Sequence, residues 1–361
     1  MKKRFMTLAL LLALVLSFAG CGEKEPETKN DVPENSTPSI TNTVKEENVE
    51  VKTDVVEEPV VPVKADPAEL KVAVLKGPTA IGMVKLMDEA KNGTSYNKYE
   101  FQIAGAADEI TASLIKGDLQ FACVPANLAA TLYQKTEGGV QICAINTLGV
   151  LYIVQTGDQV KSVADLKGKT IYSTGKGTTP EYTLRTLLTN AGIDPDKDVT
   201  IEYKSEATEV AAMLNGTTEP TIAMLPQPYV TSVMMNNKEV TIALDVTKEW
   251  ETLDKDSTVV TGVLVVNAEY AKNNKGVVEN FLEEYEKSAG YVTNVDKTAQ
   301  LLESFDIFKA KVAEKAIPYC NVTFITGQEM QTKLNAYLKT LFDQNPKAVG
   351  GKMPDEGIFW K

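Results

Sequence analysis

The residues with the most chemistry to offer form the run Ser173-Thr174-Gly175-Lys176-Gly177-Thr178-Thr179-Pro180-Glu181. Gly175 and Gly177 permit backbone conformations closed to other residues. Thr179 suits a helix N-cap, and Pro180 suits the first helical position. A helix started this way offers free N–H groups to an anionic or acceptor group, worth ~0.3–2 kcal/mol through the dipole. A glycine turn with a routine cap has the same sequence, so position has to decide. The spacing is not that of a Walker loop, which needs Gly-x-x-x-x-Gly-Lys-Ser/Thr. Gly77-Pro78-Thr79 builds the same kind of helix start about 100 residues earlier. Two such starts facing each other would make a clamp. Asn127 and Gln227 follow equivalent prolines and can each hydrogen-bond a ligand. Tyr152, Tyr182 and Tyr229 offer flat apolar walls, although a lone tyrosine is more often core. The candidate ligand-binding set is Gly77, Pro78, Thr79, Asn127, Tyr152, Gly175, Gly177, Thr178, Thr179, Gln227 and Tyr229.

Composition narrows the chemistry further. The 361 residues include no histidine. That removes Ser-His-Asp and Cys-His nucleophile systems, the commonest metal ligand and the usual neutral-pH base. No catalytic residue, metal or cofactor is expected. Beyond Arg4, the chain has a single arginine, Arg185, which reads as a structural or surface pair. Bidentate carboxylate clamps generally use arginine, so an amino-acid ligand is disfavoured. The formal net charge of −12 argues against nucleic acid or acidic lipid as a partner. Cys123, Cys143 and Cys320 are an odd number, so at least one thiol is free. Cys123 and Cys143 lie in apolar runs and read as small core hydrophobes.

These residues are positioned by alternating elements. Residues 71–75 read as a strand, 81–90 as a helix, 99–104 as a strand, 109–116 as a helix and 119–124 as a strand. This alternation implies parallel pairing in an α/β fold. The order then returns. Phe101 and Ile103 match Ile201 and Tyr203. Glu109, Ala112 and Leu114 match Glu209, Ala212 and Leu214. Gly117 matches Gly216, and Pro125 matches Pro226. Two similar lobes imply a ligand cleft between them, at the carboxyl ends of the strands. The loops 76–79, 124–127, 173–179 and 225–229 are therefore the site candidates. Residues 69–154 and 259–361 are expected to form lobe 1, and 155–258 lobe 2. The crossings fall near Val154-Gln155 and residues 259–262. Helical stripes at 277–292 and 328–341 should cover the first lobe.

The N-terminus addresses the compartment. Lys2, Lys3 and Arg4 precede an apolar run at 8–16 and then Ala19-Gly20-Cys21. A cationic start, an apolar core and small residues at the cut make residues 1–20 a secretory signal. Its core is shorter than the roughly 20 residues a span needs. Residues 21–68 read as a disordered acidic tether, with twelve acids against five lysines and no aromatic residue.

Two resemblances follow. Ala-Gly-Cys resembles the bacterial lipobox, which implies acylation of Cys21 by palmitate-type chains and a lipid anchor at the outer face of the cell membrane. Val163-Ala164-Asp165-Leu166-Lys167-Gly168-Lys169-Thr170-Ile171, Gly177-Thr178-Thr179-Pro180-Glu181-Tyr182 and Leu225-Pro226-Gln227-Pro228-Tyr229 resemble segments of periplasmic binding proteins. The branch they resemble takes sulfonates, nitrate and the thiamine pyrimidine. It departs from that branch where Gln120-Phe121-Ala122 and Thr221-Ile222-Ala223 replace an aspartate motif. The resemblance implies a two-lobed type II binding-protein fold in a monomer, and a substrate-binding lipoprotein of an ABC transporter. Its partners would be a small sulfonate-like or pyrimidine-like solute and the importer's permease subunits with their ATPase. The alternatives are a dehydratase-like enzyme on the same fold, or a sensory or protein-binding surface lipoprotein. Cys21→Ser is expected to release the protein from membranes or leave it unprocessed. Detergent-phase partitioning of the variant checks this, and unchanged partitioning would remove the lipobox reading.

Overall fold

A computed structural model describes residues 64–253 and 257–361. The expected signal segment 1–20, Cys21 and residues 22–63 of the expected tether lie outside the described residues. The first lobe begins with β1 (Glu69–Leu75), α1 (Pro78–Ile81), α2 (Val84–Lys91), β2 (Lys98–Ala104) and α3 (Asp108–Lys116). It continues through β3 (Phe121–Pro125), α4 (Ala126–Lys135) and β4 (Val140–Leu148). The chain then enters a second sheet with β5 (Leu151–Thr156), β6 (Thr170–Ser173), α5 (Thr179–Asn190), β7 (Thr200–Tyr203) and α6 (Ala207–Gly216). That lobe closes with β8 (Ile222–Pro226), α7 (Tyr229–Asn236), β9 (Val240–Asp245) and α8 (Val246–Leu253). The return to the first sheet runs through β10 (Val260–Asn267), α9 (Ala268–Asn273), α10 (Lys275–Tyr291) and α11 (Val295–Ser304). It finishes with α12 (Ala310–Ala316), β11 (Val322–Ile325) and α13 (Gly327–Gln344).

The first sheet has the order β11-β4-β10-β3-β1-β2, and the second β7-β6-β8-β5-β9. In both, three parallel strands repeat the same order: β2-β1-β3 and β7-β6-β8. This is the two-lobed α/β architecture that the internal repeat implies. Both sheets are mixed, because β10 joins β3 antiparallel and β5 joins β8 antiparallel. Burial explains the placement of strands. Phe121 to Val124 is buried on both faces, as a central strand must be, while β2 alternates and sits at an edge. Asp108 and Glu109 start α3 where a helix favours negative charge, and Gly117 at φ 82° ends it.

The crossings lie a few residues from their expected places. Residues 151–156 are not a linker but β5, in the middle of the second sheet. The chain leaves the first sheet at Gly149-Val150 instead. The physical reason is that Tyr152-Ile153-Val154-Gln155 is apolar enough to be an interior strand. Residues 64–68, expected to belong to the tether, lie on the first lobe. The Ala65 carbonyl accepts from Tyr96 Oη and Asn280 Nδ2, both at 2.8 Å. Helix α10 covers the first lobe as expected, with Phe281 at 4.0 Å between ring centroids from Phe121. Helix α13 does more than cover it. Tyr337 meets Trp250 of α8 at 5.2 Å between centroids, and its hydroxyl lies 3.0 Å from Thr183 Oγ1 of α5. One apolar cluster therefore runs from Ile142 and Val263 of the first sheet to Ile171 and Leu184 of the second lobe.

Cys123, Cys143 and Cys320 are buried and unpaired. Burial pushes the Cys123 thiol up to about 12, so it stays protonated at neutral pH.

Gly149 fixes the first crossing. A Cβ there would fall 1.8 Å from Thr247 Oγ1 of α8 and 2.9 Å from its Cβ. Gly149→Ala should therefore cost on the order of 1–3 kcal/mol by overpacking. Adding Thr247→Ala should recover much of that loss. Urea melts of the two single variants and the double variant check the coupling, and strict additivity would argue against this contact.

Candidate functional site

A cleft of about 630 Å³ opens between the two lobes. Its walls are the turns that follow the parallel strands: Leu75 to Thr79 after β1, Gly105 to Asp108 after β2, Thr174 to Pro180 after β6 and Lys204 to Ala207 after β7. Pro125, Pro226, Tyr229 and Thr261 complete it. The carboxyl ends of both sets of parallel strands thus face one space. Helices α3, α5 and α6 begin there with cap residues Ala107, Thr178 and Glu206, and none of these caps has a side-chain hydrogen bond to its helix. The positive ends of these helix dipoles therefore lie at the cleft wall.

The glycine loop is built as its sequence implies, with one shift. Gly175 and Gly177 hold φ of 70° and 77°, the left-handed region. A Cβ on Gly175 would meet Thr178 Oγ1 at 2.6 Å and Pro180 Cγ at 2.9 Å. The cap of α5 is Thr178, not Thr179. Thr178 Oγ1 donates to the Gly175 carbonyl at 2.7 Å, which tightens the loop. Thr179 is the first helical residue and is fully buried. Its hydroxyl donates to Asn127 Oδ1 at 3.2 Å. Some helix-start donors are already occupied. The Gly177 N–H donates to the Glu181 carboxylate at 2.6 Å, and the Ala106 N–H to Glu109 at 2.7 Å.

Of the sequence candidates, Gly77, Pro78, Thr79, Gly175, Thr178, Thr179 and Tyr229 line the cleft. Gly177, Asn127, Tyr152 and Gln227 do not. Asn127 is 1% exposed and ties the lobes: Nδ2 donates to the Gly177 carbonyl at 3.3 Å and the Ala348 carbonyl at 3.2 Å. Gln227 turns its Oε1 onto Thr231, accepting from N at 3.2 Å and Oγ1 at 2.8 Å, so it serves α7. Tyr152 stands in β5 between β8 and β9, and burial pushes its phenol up to about 12. Arg185 pairs with Asp196 at 2.7 Å, as a structural residue.

Sequence reasoning missed the turns after β2 and β7. They bring Asp108, Lys204 and Glu206 to the cleft. The rule that named the other turns applies equally to these, because Ala104-Gly105-Ala106 and Tyr203-Lys204-Ser205 each join a strand to a helix. Tyr229 forms a wall braced edge-on by Phe308 at 5.3 Å. Burial, then the nearby Glu206 charge, pushes its phenol up to about 12, so it stays protonated at neutral pH. Lys176 and Lys204 lie over the Tyr203 and Tyr172 rings at 5.9 and 5.4 Å.

The family model described as NMT1/THI5 like matches residues 109–299. Among solved structures, an ABC transporter from Parabacteroides distasonis is 24% identical, with a TM-score of 0.65 over 81% of this chain and 98% of that one. The alkanesulfonate-binding protein SsuA from Xanthomonas axonopodis pv. citri, bound to MOPS, is 16% identical, with a TM-score of 0.65 over 82% and 99%. The periplasmic aliphatic sulphonate binding protein SsuA from Escherichia coli is 19% identical, with a TM-score of 0.64 over 82% and 93%. At these identities the likeness is one of fold. No curated protein matches the sequence.

Asn127→Ala removes the cross-lobe tie and the acceptor of the Thr179 hydroxyl, at a cost of about 1–3 kcal/mol. Small-angle scattering without added solute should give a larger radius of gyration, and hydrogen exchange should rise at the start of α5. If both stay at parent values, Asn127 does not hold the lobes together.

Proposed function

The chain belongs to the NMT1/THI5-like family, and from that membership we propose that it captures a small organic solute between its lobes for an ABC importer. The observation that carries this reading is the convergence of both lobes' strand-to-helix turns on one cleft, with helices α3, α5 and α6 starting at its walls. Such an arrangement recognises acceptor and anionic groups through backbone N–H donors and needs no arginine. The walls contributed by Tyr229, Leu75 and Leu151 add an apolar surface for the body of a solute. The sulfonate-binding structures above share the fold, and in this reading the solute is a sulfonate-like oxyanion or a pyrimidine-like heteroaromatic.

No helix among the described residues is long and apolar enough to cross a membrane. In this reading the protein works on the extracytoplasmic side, held by lipid on Cys21, and hands its solute to permease subunits driven by their ATPase. It acts as a monomer and binds without turning the solute over.

A thermal-shift screen of alkanesulfonates and pyrimidines against residues 64–361 tests the reading. A binder at 100 times its dissociation constant should stabilise by ~2.7 kcal/mol. The same compound should shrink the radius of gyration as the lobes close, and it should be recovered unchanged. Turnover of the compound would favour an enzyme, and no shift from either class would count against solute capture.

A further inference from the structure

Tyr229 stands between two cavities. One is the cleft. The other, of about 350 Å³, lies between α6 and α7 of the second lobe and the turn that joins α11 to α12 of the first. Tyr229 lines both. Its backbone is fixed, because it is the first residue of α7 and that helix start is bonded to Gln227 and Pro228. What remains to be set is the ring. An aromatic side chain turns between staggered wells about one bond, and a wall with open space behind it can turn away from a solute. The ring that meets Tyr229 is Phe308, edge-on at 5.3 Å between centroids. Phe308 lines the smaller cavity and not the cleft, so it meets Tyr229 from behind.

The turn that carries Phe308 is anchored in the first lobe. Ile307 is buried, its N–H donates to the Leu302 carbonyl at 2.9 Å, and the Asp306 N–H donates to the Glu303 carbonyl at 3.0 Å. Asp306 holds a φ of 53°, a left-handed conformation that a non-glycine residue seldom takes, and its carboxylate pairs with Lys76 at 3.7 Å. Phe308 packs on the apolar cluster that holds Phe281 and Ile307 in the first lobe. Tyr229 packs on the cluster that holds Val230 and Val233 in the second. We infer that Phe308 is a positioning residue of the binding site, which acts from the first lobe to hold the Tyr229 ring of the second against a solute in the cleft. The inference rests on the solute-capture reading. Its consequence is that this wall of the site is complete only while the two lobes are together.

The test is a double-mutant cycle on binding, with cytosine, uracil, ethanesulfonate and MOPS titrated calorimetrically into the full chain and its variants. The parent should bind at least one of the four. Phe308→Ala should weaken the best-bound probe about threefold or more, and Phe308→Leu, which keeps apolar bulk, should weaken it less. In a Tyr229→Ala background the same Phe308→Ala change should alter affinity by less than about 1.5-fold, because the residue it acts through is gone. Melting without solute checks folding, and if Phe308→Ala melts far below the parent the cycle is run with Phe308→Leu. A readout without solute is the fluorine resonance of Tyr229 in protein labelled with 3-fluorotyrosine, assigned through Tyr229→Phe. It should move or broaden in Phe308→Ala. A probe that binds parent and Phe308→Ala equally, a loss that is the same with and without Tyr229, or an unmoved resonance would each overturn the inference and leave solute capture standing. A parent that binds none of the four would sink both.

Discussion

A parallel strand can be joined to its neighbour only by a connection that crosses back over the face of the sheet. Each strand must therefore leave at its carboxyl end, and each returning helix must begin there. In this protein the constraint acts twice, on β1-β2-β3 and on β6-β7-β8. It stacks the helix starts of each lobe along one edge. The cleft is the place where the two edges meet, and its chemistry follows from that. Backbone N–H groups at the helix starts supply donors, and the side chains around them are mostly threonines, prolines, glycines and alanines, with Lys76, Lys176, Lys204, Asp108 and Glu206 among them and Tyr229 as a wall. The cations at this site are lysines, Lys76, Lys176 and Lys204, in a chain poor in arginine.

Holding two such edges in register requires a connection away from the cleft. The apolar cluster that includes Trp250, Tyr337 and Leu184 provides it, together with the crossing at Gly149. Tyr337 belongs to the last long helix, yet it packs on residues of both lobes. The lobes therefore share part of one core on this side. On the other side they touch through polar and aromatic contacts, Asn127 with Thr179 and Phe308 with Tyr229. Separation of the second set leaves less apolar surface exposed than separation of the first would. The cleft accordingly has a firm back and a yielding front.

The repeat made the architecture legible, because Pro125 and Pro226, Gly117 and Gly216, and the intervening apolar positions keep a common spacing across a whole unit. The glycine loop was legible too, since Gly175 has room for nothing larger. Two features were not. The cap of α5 falls on Thr178, because Thr179 is drawn inward by a hydrogen bond to Asn127, a residue distant in sequence. Asn127 and Gln227 follow equivalent prolines, but their side chains are taken up by local and cross-lobe bonds that no spacing reveals.

One contact at the front of the cleft has a consequence for energetics. A Cβ on Gly105 would lie 3.0 Å from Glu206 Oε1 and 3.2 Å from Glu109 Oε1. Two exposed carboxylates from opposite lobes therefore meet over a bare backbone. Like charges from the two lobes oppose each other at this contact. Mobile ions shorten the reach of such a repulsion. The approach of the two lobes at this point is thereby coupled to ionic strength, so they should sit closer in a saltier medium than in a dilute one.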